Sequence, residues 1–241
     1  MENSIYIGLS KQMVLRTDMQ IIANNVANMS TPGYRAQNLV FDEFISKPQG
    51  EHDPMSFVFD KKQYQNTQPG SLSFTGNPLD IALEGPGFIG IQAPGGEIAY
   101  SRAGNFQMDA EGTLLNSAGY PVADTGGGSI TIPPGSTDIS IDEKGVVSNQ
   151  DGQLGQIMVA EFDNLQTLDP MGDTLYTTTS APLPPEHTRV KQGLVEGSNV
   201  KPVIEMTRMI DTLRSYQSVQ RLLQNEHDRL RSAIQKLTRE G

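Results

Sequence analysis

The chain has 241 residues, a formal net charge of −10, 36% hydrophobic and 6% aromatic residues, and neither tryptophan nor cysteine. The acidic balance argues against a nucleic-acid surface, because a phosphate backbone selects for Lys and Arg. The missing cysteine excludes disulfides, zinc–thiolate sites and thiol nucleophiles.

The opening MENSIYIGLSK has no basic n-region, and Asn3, Ser4, Gly8 and Lys11 break up any apolar h-region, so no cleaved leader is expected. Residues 4 to 28 read as a helix capped by Asn3 or Ser4. Ile5, Leu9 and Met13 step by four, and Leu15, Met19, Ile22 and Val26 follow the 4-3-4 spacing of a seam. The last turn, ANNVAN, is unusual because Asn24, Asn25 and Asn28 are mediocre helix residues whose amides compete for backbone groups. Asn24 and Asn28 are four apart and share a face. Their amides are expected to bond neighbouring backbones and fix register, as a polar seam residue does. Thr31-Pro32-Gly33 then stops the helix, since Pro32 disfavours a helical Thr31 and Gly33 frees the turn. Tyr34 is expected to pin the exit.

Residues 36 to 75 read as an extended linker holding one or two strands, around LVFDEFI and MSFVF. From 76 to 190 the chain looks all-β, with FIGI, IAYS, GTLLN, SITI, DISID and QIMVAEF separated by turn residues. Two turns share a pattern, Asp109-Ala-Glu-Gly112 and Asp142-Glu-Lys-Gly145, suited to type I hairpins. From Pro202 no Pro or Gly appears until Gly241. Met209, Leu213, Tyr216, Gln220, Leu223, His227, Leu230, Ile234 and Leu237 keep 4-3-4-3 spacing over four heptads. Such a helix is about 55 Å long at 1.5 Å per residue, too long for the β region to cover. It is expected to pack with the N-terminal helix and with neighbouring copies.

Catalysis finds no support. The three histidines are scattered, Gly126-Gly127-Gly128 lacks the Lys-Ser/Thr of a P-loop, and no nucleophile–base set or metal-ligand spacing occurs. No run approaches the ~18 apolar residues of a membrane span. No enzyme activity, cofactor, metal, nucleic acid or membrane insertion is therefore expected.

ANNVANMSTPGYR resembles the signature of the bacterial flagellar rod and hook proteins, ANN-[LIV]-AN followed by T-P/T-G-[FY]-[KR]. GSNVKPVIEMTRMIDTLRSYQ resembles the second block of that family, and TGNPLDIALEGPGFIGI and YSRAGNFQMDAEGTLLNSAGYPV fit its middle. Within the family, MENSIY, GYRAQ and the short length look more like the proximal-rod than the distal-rod branch. The resemblance implies a structural subunit of the basal-body drive shaft and export channel. Such a subunit passes the flagellar type III export apparatus without a cleaved leader and assembles in the periplasm with copies of itself and other rod proteins. It also implies terminal helices in inner coiled-coil layers. The expected fold is thus α+β, with long N- and C-terminal helices forming a coiled-coil layer and a central all-β domain. Its expected divisions are 1–35, 36–75, 76–190 and 191–241. The expected assembly residues are Asn24, Asn25, Val26, Asn28, Thr31, Pro32, Gly33 and Tyr34, together with Met209, Leu213, Tyr216, Leu223, His227, Leu230, Ile234 and Leu237. The competing readings are a distal-rod subunit and a secreted β-rich binding module with oligomerising tails.

Overall fold

Runs with no interior proline at the two ends fold as helices, α1 (Glu2–Ala27) and α2 (Pro202–Leu237). Pro202 suits the first turn of α2 because its missing N–H has no intrahelical partner there. The computed structural model describes residues 2–46 and 55–237. Among the described residues sixteen strands lie between the helices: β1 (Gln37–Ser46), β2 (Met55–Gln65), β3 (Leu72–Phe74), β4 (Ile81–Glu84), β5 (Phe88–Gln92), β6 (Ile98–Ser101), β7 (Gln107–Met108) and β8 (Leu114–Leu115). They continue with β9 (Ser140–Ile141), β10 (Val146–Asn149), β11 (Gly152–Gln156), β12 (Val159–Ala160), β13 (Asp169–Gly172), β14 (Leu175–Thr177), β15 (Arg189–Gln192) and β16 (Leu194–Glu196). The chain falls into two units. One holds residues 1–27, 36–66 and 201–241, and the other holds 28–35 and 67–200. The backbone thus passes from one unit to the other after residues 27, 35, 66 and 200.

In the helical unit, α1 and α2 run antiparallel. A Cβ on Gly8 would meet Leu223, Asp18 bonds Thr212, and Asn25 bonds Glu205. The β1–β2 hairpin pairs antiparallel from Gln37↔Gln65 to Ser46↔Met55 and lies against α1. This corrects the expected coiled-coil layer. The described residues of this unit form one helix pair with a hairpin, and the apolar heptad stripes make only part of the contact. On α1 the buried positions are Gly8, Val14, Asp18, Ile21, Ile22 and Asn25, while Leu9 and Met13 are exposed. On α2, Met209, Tyr216, Leu223 and Leu230 are half-buried, but Leu213, Gln220 and His227 point away. The other half of the contact is made by Glu205, Thr212, Val219 and Glu226. The physical reason is polar pairing. Asp18 and Asn25 occupy α1's stripe because α2 offers them partners, and hydropathy spacing cannot register such pairs.

In the β unit the main sheet has the order β12-β5-β6-β14-β13, with antiparallel neighbours. Successive side chains on a strand point to opposite faces, and both faces of this sheet are covered. Ile89, Ile91, Ala99 and Leu175 face an aliphatic cluster with Ile81, Leu114, Val122, Ile132, Val147 and Ile157. Phe88, Tyr100 and Tyr176 face an aromatic cluster with Phe162 and Leu168. Its rings meet edge to face, with Tyr100 and Phe162 centroids 4.8 Å apart. That arrangement suits the ring quadrupoles.

The turns repeat one device more often than the sequence reading expected. Asp109, Asn116, Asp124 and Asp142 each begin an Asx-x-x-Gly turn. Each Oδ1 accepts backbone N–H groups two and four residues on, at 2.7–3.1 Å. Each fourth residue, Gly112, Gly119, Gly127 or Gly145, has φ between 80 and 87°, a region costly for any other L-residue. The SITI segment makes only isolated bridges, Thr113↔Thr131 and Ala123↔Ser129. Even so, Ile130 and Ile132 are buried there.

Candidate functional site

The two sequence blocks singled out above, ANNVANMSTPGYR and GSNVKPVIEM, meet in the folded chain. In the helical unit the meeting point is polar. Asn25 is fully buried. Its Nδ2 donates to the Gln37 carbonyl at 2.8 Å, and the Gln37 N–H donates back to its Oδ1 at 2.9 Å. The side-chain amide thereby pairs with a backbone peptide at the start of β1. The same Nδ2 reaches Glu205 Oε2 at 3.2 Å. One turn along, Arg208 bridges α2 to three acceptors: Glu205 Oε1 (3.2 Å), Asn38 Oδ1 (3.2 Å) and Asp18 Oδ1 (3.4 Å). Thr212 donates to Asp18 Oδ2 at 3.0 Å. These contacts fix α1 against α2 in one register, since sliding by a turn would strand buried polar groups.

In the β unit the meeting point is ionic. The exit loop turns at Asn28, where the Thr31 hydroxyl donates to Asn28 Oδ1 at 3.1 Å. Gly33 has φ +68°, and a Cβ there would lie 2.2 Å from the Ala103 nitrogen. Only glycine fits, because both the conformation and the space exclude a side chain. Its N–H donates to the Glu196 carbonyl at 2.8 Å, and the Asn199 N–H donates to the Tyr34 carbonyl. Arg35 then reaches inward, with Nη2 2.8 Å from Glu196 Oε1 and Nη1 donating to the Gln68 carbonyl. Glu196 Oε1 also accepts the Gly70 N–H at 2.9 Å. Arg102 faces the other carboxylate oxygen at 3.4 Å, donates to the Gly85 carbonyl at 2.6 Å and stacks 5.4 Å from the Phe88 centroid. Arg35, Arg102 and Glu196 are 4%, 3% and 1% exposed, which makes this a fully buried Arg–Glu–Arg cluster. Burial lowers the Arg102 pKa to about 10, against the pull of Glu196 and with the push of Arg35. Burial lowers the Arg35 pKa too, with Glu196 opposing. Beside them, burial pushes the Tyr176 phenol up to about 12, while Arg35 draws it down.

Of the expected assembly residues, Asn25 and Gly33 are buried, Val26, Asn28, Thr31, Pro32 and Tyr34 are half-buried, and Asn24 is exposed. Met209, Tyr216, Leu223 and Leu230 face α1; Leu213 and His227 are exposed; the side chains of Ile234 and Leu237 lie outside the described residues. The reading missed Asp18, Arg208 and Thr212, and the cluster of Arg35, Arg102 and Glu196. One signal was available for the helices, since Asp18, Glu205 and Thr212 interrupt apolar runs at helical spacing. For the cluster there was none, because its members are 67 or more residues apart. Among the described residues no group of three or more His, Cys, Asp or Glu could hold a metal ion. No described helix is long and apolar enough to cross a membrane.

Comparison with known proteins gives three matching family models in chain order. They are a flagella basal body rod protein model over residues 5–35, the flagellar hook protein FlgE/F/G D1 domain over 82–149, and the flagellar basal body rod FlgEFG protein C-terminal model over 191–236. The chain is 40% identical to the flagellar basal-body rod protein FlgF of Caulobacter vibrioides and 34% identical to that of Mesorhizobium japonicum. In both cases the match covers 98% of each chain. It is 34% identical to the flagellar basal-body rod protein FlgG of Agrobacterium fabrum, over 84% of this chain and 87% of that one.

Proposed function

This chain belongs to the flagellar basal-body rod protein family, and from that premise we propose that it is a non-catalytic structural subunit of the proximal rod. In this reading it joins copies of itself and other rod proteins through its terminal helices, after passage through the flagellar type III export apparatus. The placement on the proximal rod rests on relatives named FlgF, which align with this chain over nearly their whole length.

The observation that carries the self-association is the position of the apolar residues the helix pair leaves exposed. On α2 they are Val203 (77%), Ile204, Met206, Ile210 and Leu213 in its first third, with Leu222 alone further along. On α1 they are Tyr6, Leu9 and Met13 (65%), also near its start. Because the helices run antiparallel, the two patches lie at opposite ends of the pair. Different patches at opposite ends favour a head-to-tail contact, which propagates instead of closing into a dimer.

The test is complementation of a strain lacking the gene. Ile210→Glu with Leu213→Glu changes only exposed positions and should leave folding and export intact, while the subunit is missing from purified basal bodies and motility is lost. Normal incorporation of that variant would overturn the helix-mediated reading.

A further inference from the structure

The stretch Ala181-Pro182-Leu183-Pro184-Pro185 lies between β14 and β15 in the β unit. Every residue in it is a proline or precedes one. Proline locks φ at about −65°, and the residue before a proline is pushed to extended backbone. A run of such residues favours the polyproline II helix. All of them are exposed, Leu183 at 40%.

The stretch is held in place by one buried residue, Glu161. The Leu183 N–H donates to the Glu161 carbonyl at 2.9 Å, and the Glu161 N–H donates back at 3.0 Å. Glu161 Oε1 also accepts the His187 N–H at 2.8 Å and the Thr188 hydroxyl at 2.7 Å. A strap tied at both points is already in shape, which lowers the ordering cost of a contact. The same bonds exclude addition of a strand. Pro182, Pro184 and Pro185 have no N–H to give, and that of Leu183 is taken by Glu161. What the strap offers is a ridge, since about three residues per turn place Pro182 and Pro185 on one side.

Such ridges are received by grooves lined with aromatic rings. A second copy of this chain does not fit that description. It has no tryptophan, the rings of its aromatic cluster are buried, and the exposed Tyr6, Tyr64 and Phe74 belong to three different elements. Charge also favours an approach at this place. Of the five basic residues in the acidic β unit, Arg35 and Arg102 are buried, and the other three gather near Pro185. Lys144 and Arg189 line a groove of about 410 Å³ together with Pro185, Glu143 and Glu186, and Lys191 shares Glu143 with Arg189. Opposite charges balance there, so a partner of either sign can come close.

We propose that the Pro182–Pro185 ridge is a docking site for a different protein, which receives it in a groove lined by tyrosine or tryptophan rings.

The test places p-benzoylphenylalanine at position 183, which keeps the N–H that bonds Glu161, in a complemented strain. Cells are irradiated, and the residue joined to position 183 is mapped by mass spectrometry. The expected product links it to a different protein, beside tyrosine or tryptophan rings that line a groove in that protein's structure. Adding Pro182→Ala and Pro185→Ala should cut the yield at least tenfold in cells that hold the same amount of the chain. Pro134→Ala, at an exposed proline elsewhere in the unit, should leave the yield unchanged. A cross-link to a second copy, to a surface without such rings or to nothing overturns the proposal, and so does an undiminished yield from the double proline variant.

Discussion

Removing the Glu196 carboxylate leaves two guanidinium ions facing each other in a place sealed from water. Breaking a buried ion pair in that way costs about 3–5 kcal/mol. Glu196→Ala is therefore expected to lower the free energy of unfolding of the β unit, read from urea titration, by an amount of that order. The triple change Arg35→Met, Glu196→Leu, Arg102→Met should lose much less, since it removes the charges together. Equal losses would mean that packing and not charge holds the site. At high pH the neighbours act in opposite directions. Tyr176 has a folded pKa of about 12 against an ordinary 10, so the stability it contributes is full below pH 10 and is lost as pH rises toward 12. Arg102 has a folded pKa of about 10 against 12.5, so its burial penalty, present below pH 10, is relieved over the same range. Unfolding followed from pH 9 to 12 should then show a nearly flat profile in the wild type. Tyr176→Phe should show rising stability, by about 1–2 kcal/mol. A falling profile in that variant would contradict the assignment.

For single elements the turns offer the cleanest ordering. A Cβ on Gly112 would meet the Ile132 carbonyl at 2.1 Å, whereas one on Gly119 meets nothing within 4 Å. Both replacements bear the left-handed backbone penalty of about 1 kcal/mol. Gly112→Ala should therefore cost at least twice as much as Gly119→Ala when measured by chemical denaturation. These turns also mark what the sequence discloses. Asp109 and Asp142 were readable because an apolar pair follows each glycine, whereas Asn116 and Asp124 lead into Tyr120-Pro121 and Ser129 and give no such alternation. The ends of α1 and α2 were readable from Pro32 and Pro202, and the β character of 76 to 190 from turn spacing. The packed stripes were not, since Asp18–Thr212 and Asn25–Glu205 are pairings between helices 180 or more residues apart. Each polar residue looks like a solvated one until its partner is known.

On the scale of the whole chain, protection from exchange should follow burial. Core strands such as β5 and β6 are lined by buried residues, while α2 beyond Leu223 is mostly exposed. Hydrogen exchange read by mass spectrometry is expected to label residues 224–237 within the time that β5 and β6 stay protected. Uniform protection would mean that the helix is held by contacts the monomer does not show. The four passages of the backbone between units give the Arg–Glu–Arg cluster a mechanical meaning. Near three of those passages, Arg35, Gln68 with Gly70, and Glu196 are stitched side by side inside the β unit. A pull arriving along any one of these segments is shared by all three, as in the splice of a rope. Because the stitches are sealed from water, salt does little to loosen them.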